Sequence, residues 1–271
     1  MARRQNTKAD SFFARILGFA GFDVSAEAIG YIGFAGSLNP YDVDAPIAIC
    51  KQALLIDGKY QCSVGRMINS GQGVVTVNSG GWTDYNQVVP CQGGTNANAL
   101  TNLLKKCPST SSGNPVKLIL GGDMALTNGM DASVFKKYLY DDCWINNSAN
   151  RTKIWNLTLP VIDCPSNVVG PTCSKLMGAV TIGIVWINEQ NDPQYKDAPY
   201  KMGNWESSDP DGKVRWASFV NYYNLKNLDG SPASYMDKTI YFLPDCTPHE
   251  PTGTSGGQNF GILAKTPVLV K

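Results

Sequence analysis

The chain has 271 residues, of which 43% are apolar and only 17% charged, against an average charged share of about 25%. A net charge of +1, with Arg3, Arg4 and Lys8 as the only basic cluster, excludes a nucleic-acid surface. Low charge with 27 Gly and 16 Pro points to a β-rich extracellular protein, and the length can bury a real core.

Residues 1–10 form a basic arm expected to be disordered, and 11–271 read as a single domain. Ser11 can cap a short helix to Phe19, with Phe12, Phe13, Ile16 and Leu17 on its apolar face. Asp23 to Phe34 alternates as a strand, with Ile32 and Phe34 on the apolar side. The apolar stretch Phe12 to Leu38 is interrupted by Arg15, Asp23 and Glu27, so no window spans a bilayer. No apolar signal-peptide core follows the basic arm. An apolar segment too short to span a membrane packs on something. Phe12, Phe13, Ile16, Leu17, Ile32 and Phe34 are therefore the protein-contact candidates.

Pro46 to Ile56 is strand-like or helical, and periodicity does not decide between them. Val74 to Val77 and Val116 to Leu120 read as short strands. Asn98 to Lys106, and Asp131 to Tyr140 capped by Asp131, read as helices. Trp155 to Ile162 and Leu176 to Ile187 are the clearest strands. The second is apolar on both faces and belongs in the middle of a sheet. Asn188 to Gly212 carries three prolines and reads as an exposed excursion. Trp216, Phe219, Val220 and Tyr223 recur at helix spacing within Arg215 to Leu225. Lys238 to Leu243 and Phe260 to Val270 are strands, and Pro267 pushes the last toward an edge. The sum is an α+β fold: a mainly antiparallel sheet, a few short helices and long disulfide-stapled loops.

The eight cysteines are Cys50, Cys62, Cys91, Cys107, Cys143, Cys164, Cys173 and Cys246. They form no CxxC pair, and His249 is the only histidine, so four disulfides fit and a zinc site does not. Disulfides place the fold outside the reducing cytosol, at the cell surface, extracellular or facing the periplasm. Loop closure favours Cys50–Cys62, Cys91–Cys107 and Cys164–Cys173, leaving Cys143–Cys246 as a long staple. Glycosylation patterns at Asn146, Asn150 and Asn156 occur at about the frequency that composition alone produces.

Chemistry-bearing motifs are sparse. Gly253 to Gly257 matches G-x-S-x-G around Ser255, but prolines precede it and His249 lies upstream, so a flexible loop is the better reading. Ser207 to Gly212 resembles half a calcium loop, with Asp209 and Asp211, but Ser218 stands where a Glu ligand belongs. Asp42 and Asp44 fit a solvated turn, Asp123 a strand end, and Asp131-Ala132-Ser133 a helix cap. No catalytic residue, metal site or cofactor is expected. Tyr195, Tyr200 and Trp205 are aromatics in the polar excursion; they either contact a ligand or cover the sheet.

Ser11-Phe12-Phe13-Ala14-Arg15-Ile16-Leu17-Gly18-Phe19, followed by Asp23-Val24-Ser25-Ala26-Glu27-Ala28, resembles the TadG-like Tad/Flp pilus-assembly family of bacteria. Pro46 to Cys50 and Tyr241 to Gly257 look like the cysteine-bearing distal part of its long members. The pilin-like membrane helix that opens those members does not precede Ser11, so anchoring is not carried over. The D-x-S-x-S loop of members with a von Willebrand-type metal site is not found. The resemblance implies a non-enzymatic exported surface protein associated with a pilus or filament, acting in assembly or adhesion. Its partners would be itself or other pilus or envelope subunits. The alternative from the residues themselves is a carbohydrate- or ligand-binding adhesin using loop aromatics.

Overall fold

The computed structural model describes residues 5–9, 22–26, 30–56, 58–70, 80–107, 112–127, 129–164, 172–190, 192–246, 251–255 and 265–269. Its main sheet has seven strands: β1 (Ile47–Cys50), β2 (Arg66–Asn69), β3 (Gly80–Trp82), β4 (Asp123–Leu126), β5 (Trp155–Ile162), β6 (Thr172–Asn188) and β7 (Thr239–Pro244). The order is β2-β7-β6-β5-β1-β3, with β4 on the N-terminal part of β6. Every pairing is antiparallel except β5 with β1. The fold is α+β, as the residue patterns imply.

Strand β6 organises the sheet because it is long enough to serve three neighbours in turn. Thr172 to Lys175 pair with β4, Leu176 to Ile184 with β5, and Ile182 to Asn188 with β7. Leu176, Ala179, Ile182, Ile184 and Val185 are buried on both faces, as a central strand requires. The sheet curls back on itself. Just past β4, Thr127 exchanges two backbone hydrogen bonds with Trp82 of β3, at 2.7 and 3.0 Å. Trp82 Nε1 also donates to Ser70 Oγ, just past β2, at 2.8 Å. The ring β3-β1-β5-β6-β4 thereby closes, and its edges find partners.

The described residues include four α-helices: α1 (Lys51–Leu54), α2 (Ala97–Leu104), α3 (Ala132–Val134) and α4 (Gly212–Tyr222). The Asn96, Asp131 and Asp211 side chains cap the last three by accepting backbone N–H bonds. Pro46 to Ile56 is strand, then one helical turn, then strand, which is why neither period fits it throughout. Helix α3 continues as a π-helix over Phe135–Ile145. Its i→i+5 bonding turns more slowly than an α-helix and keeps Phe135, Leu139, Cys143 and Trp144 inward.

All eight cysteines are paired, but none of the four expected pairings forms. The bonds are Cys50–Cys164, Cys62–Cys246, Cys91–Cys173 and Cys107–Cys143. Loop closure ranks partners in the unfolded chain; the folded sheet ranks them by register. Cys50 sits opposite Ile162, two residues before Cys164.

Within the basic arm, Gln5–Ala9 pairs antiparallel with Phe22–Ala26. Asp23 to Phe34 divides into two strands, and Gly30–Phe34 pairs with Lys265–Leu269 in a two-stranded ribbon that holds Ile32 and Phe34. Phe34 is half-buried. The expected Ser11–Phe19 helix lies outside the described residues, as do Phe12, Phe13, Ile16, Leu17 and the Val74–Val77 strand. No helix among the described residues is long and apolar enough to cross a membrane.

Around α4 the core is aromatic. Phe219 meets Trp186, Trp205, Trp216 and Tyr223 at ring-centroid distances of 4.9–6.2 Å. Burial pushes the phenols of Tyr223 and Tyr60 up to about 12, with smaller contributions from Tyr222 and Asp245 respectively. Burial raises Tyr241 as well. The unfolded chain releases these protons near pH 10, so their contribution to stability is complete below about pH 10 and is lost as pH rises toward about 12. Denaturant melts at about pH 9 and about pH 11, with tyrosinate absorbance, are expected to show this loss. Equal stability at both values would refute it.

Candidate functional site

Three pieces of chain enclose an open cleft of about 190 Å³ beside the C-terminal half of β6. The first is the turn that follows the π-helix. Ala149, Asn150 and Arg151 all have left-handed φ angles, of 48°, 56° and 63°. Non-glycine residues adopt that conformation at a cost of about 1–2 kcal/mol each. Ser148 holds it: its hydroxyl accepts Arg151 N–H at 3.0 Å, and its carbonyl accepts from Thr152 and Lys153. Asn150, Arg151 and Thr152 face the cleft.

The second piece is Trp186. A β-bulge in the pairing of β6 with β7, between Ile184 and Trp186, offsets the strand just before it. Trp144 and Phe219 meet its ring edge-on at 5.1 and 6.2 Å, and the Arg151 guanidinium lies 5.7 Å from its centroid. Trp186 Nε1 is buried without a hydrogen-bond partner, as is the Tyr235 hydroxyl.

The third piece, Lys196 to Lys201, belongs to the excursion expected to be exposed. Lys196, Asp197, Tyr200 and Lys201 are exposed as expected, but the segment is anchored inward by Ala198, Met202 and Trp205, which are buried. The cause is Arg215 on α4, only 1% exposed. It donates to the carbonyls of Lys196 (3.1 Å), Ala198 (3.3 Å), Asp209 (2.7 Å) and Pro210 (3.2 Å). Its guanidinium also lies 3.7 Å from the centroid of the Tyr200 ring. One buried cation thus fixes the backbone of a polar loop and clamps an aromatic ring that stays 55% exposed.

Among the described residues, three cations line the cleft, Arg151, Lys196 and Lys201, against one carboxylate, Asp197. Lys201 is offset by Glu206 at 3.4 Å. Arg151 Nη1 donates to the Tyr140 hydroxyl at 3.1 Å, and among the described residues no carboxylate pairs with Arg151 or Lys196. Burial raises the Tyr140 phenol against the opposing pull of Arg151.

Of the three aromatics proposed from the excursion, Tyr200 lines the cleft. Tyr195 stacks on Tyr235 at 4.6 Å and is half-buried. Trp205 is a correction: at 5% exposure it packs against Phe219, and Nε1 donates to Ser218 Oγ at 3.4 Å. Its place is the core, because the hairpin Lys201–Met202 with Trp205–Glu206 turns its apolar residues inward. Sequence reasoning missed Arg151, Trp186, Lys196, Asp197 and Arg215. For Arg215 a signal existed: it lies one helical turn before Phe219, on a helix whose apolar stripe it adjoins.

Gly253 packs so closely on Ser37 that a Cβ would lie 2.0 Å from its carbonyl oxygen. Ser255 is exposed and bridges Ala35 in extended pairing, not in a nucleophile turn. His249 lies outside the described residues. Asp209 and Asp211 build a turn and a helix cap, and a Cβ on Gly212 would lie 1.9 Å from the Tyr195 carbonyl oxygen. Asp131 accepts from Ser133 and Val134, and the Ser133 hydroxyl leads the bonds that hold its carboxyl below the usual range. Asp42 and Asp44 bind Thr252 and Thr158 across the fold rather than standing in a solvated turn. Among the described residues no group of His, Cys, Asp and Glu is placed to hold a metal. No protein-family model, curated protein or solved structure matches the chain.

Proposed function

We propose that the chain is a non-catalytic exported surface protein that binds a small ligand in the Arg151–Tyr200 cleft. Four disulfides fit a fold that matures in an oxidising compartment. The observation that carries the binding role is Tyr200: a ring clamped by Arg215 and yet 55% exposed, beside cations without carboxylate partners. Rigid exposed aromatics give contact area at low entropic cost.

The test is an array of glycans and small anions, probed with the wild type and with Tyr200→Ala. Binding to a subset is expected, weakened at least about tenfold by the substitution. An unresponsive wild type, or a variant that binds equally well, overturns the role.

The likeness of residues 11–28 to TadG-like proteins supplies the setting, a bacterial pilus or filament in which the protein acts in assembly or adhesion. In that setting the protein co-sediments with sheared surface filaments. Its absence from that fraction removes the appendage association and leaves the binding role standing.

A further inference from the structure

We infer that the cleft takes an acidic saccharide unit, a pyranose ring carrying one carboxylate. This rests on the binding role proposed above and adds the class of ligand. Size comes first. At about 190 Å³ the cleft is smaller than the roughly 300–1,000 Å³ of drug-sized sites, which suits one sugar unit.

Charge comes next. With Lys201 offset by Glu206, the lining leaves Arg151 and Lys196 against Asp197, a surplus of one positive charge. A single carboxylate matches that surplus. A neutral sugar would cover two cations without answering their charge, and unpaired charge taken from water is penalised. A polyanion would bring repeated charges against Asp197 and Glu206, and the chain's net charge of +1 offers no wider field to hold it.

Shape comes last. Tyr200 has the guanidinium of Arg215 against it at 3.7 Å, so its ring is a fixed platform for the C–H face of a pyranose. Asp197 and Asn150 are the lining groups suited to hydroxyls, one accepting and the other able to donate and accept. Arg151 is held ready by the left-handed turn and by its bond to Tyr140, so little side-chain freedom is lost when an anion arrives.

The experiment is calorimetric titration of the full chain with a hexuronic acid disaccharide, the neutral hexose disaccharide of the same linkage, and inorganic phosphate. The variant is Lys196→Gln. Lys196 is exposed, and its backbone carbonyl still receives Arg215 after the change, so circular dichroism is expected to match the wild type. The acidic disaccharide is expected to bind at least about tenfold tighter than the neutral one, with Lys196→Gln erasing most of that preference. Added salt weakens the acidic ligand selectively.

Equal affinity for both disaccharides overturns the acidic class and leaves the binding role intact. Phosphate binding as tightly as the uronic acid shows that charge alone is read, and overturns the saccharide. No binding of either disaccharide by folded protein overturns this inference, and the Tyr200→Ala array then decides separately whether the cleft binds anything.

Discussion

Arg215→Ala is expected to cost about 3–5 kcal/mol of folding stability. The reason lies in what stays behind. The carbonyls of Lys196, Ala198, Asp209 and Pro210 are backbone groups, so no substitution can remove them with their donor. A buried acceptor left without a partner costs about 1–3 kcal/mol, and partial entry of water limits the total. Arg215→Lys rescues little, because three donors on one ammonium cannot span carbonyls that a planar fork reaches together. Arg215→Met separates packing from hydrogen bonding, since it restores much of the volume and none of the donors. Equilibrium denaturation of the three variants checks this. A methionine variant as stable as the wild type would show that water satisfies the carbonyls and that the clamp is dispensable. The same loss reaches the cleft, because Tyr200 then loses the group that fixes its ring.

Removing the Cys62–Cys246 bond by paired serine substitutions is expected to cost about 4 kcal/mol, within the range of about 2–5 for native disulfides. The bond spans 184 residues, and chain entropy alone assigns a loop of that length about 5 kcal/mol. The other bonds shorten the effective loop. With Cys50–Cys164 intact, the unfolded chain runs from Cys62 back to Cys50 and from Cys164 on to Cys246, about half the distance. Halving a loop subtracts about 0.6 kcal/mol. The bond retains the largest effective loop of the four. Cys246 is exposed and Cys62 half-buried, so its loss disturbs native packing little and acts through the unfolded state. Thermal unfolding should drop by on the order of 10 °C for a chain of this size. A loss below about 1 kcal/mol would show that the unfolded ensemble keeps these termini together without the bond.

The elements legible in the sequence are those whose evidence is local. Strand β5 begins and ends where the alternation does, at Trp155 and Ile162. Helix α2 follows Leu100, Leu103 and Leu104, and α4 follows Trp216, Phe219 and Val220. The cap at Asp131 was equally plain, whereas the π-helix beyond it was not, because a period-3.6 search stops where the turn widens. In the cleft the sequence reached Tyr200 but not its surroundings. Arg151, Trp186 and Asp197 come from three separate segments, and none carries a motif. For Trp205 the sequence left ligand contact and burial both open, and burial was decided by a hairpin folding onto α4.

The sequence by itself determined the class of the molecule: a weakly charged α+β chain with a doubly buried central strand and cysteines enough for four disulfides. Those properties depend on composition and on periods of two and 3.6, which any short window contains. The tertiary structure alone decided which cysteines meet, how β4 and β3 close the ring through Thr127 and Trp82, and why a proline-rich excursion turns inward on Arg215. Each of these joins residues distant in the chain. Their meeting is set by sheet register and by the need to satisfy buried polar groups, and neither is written within a single segment.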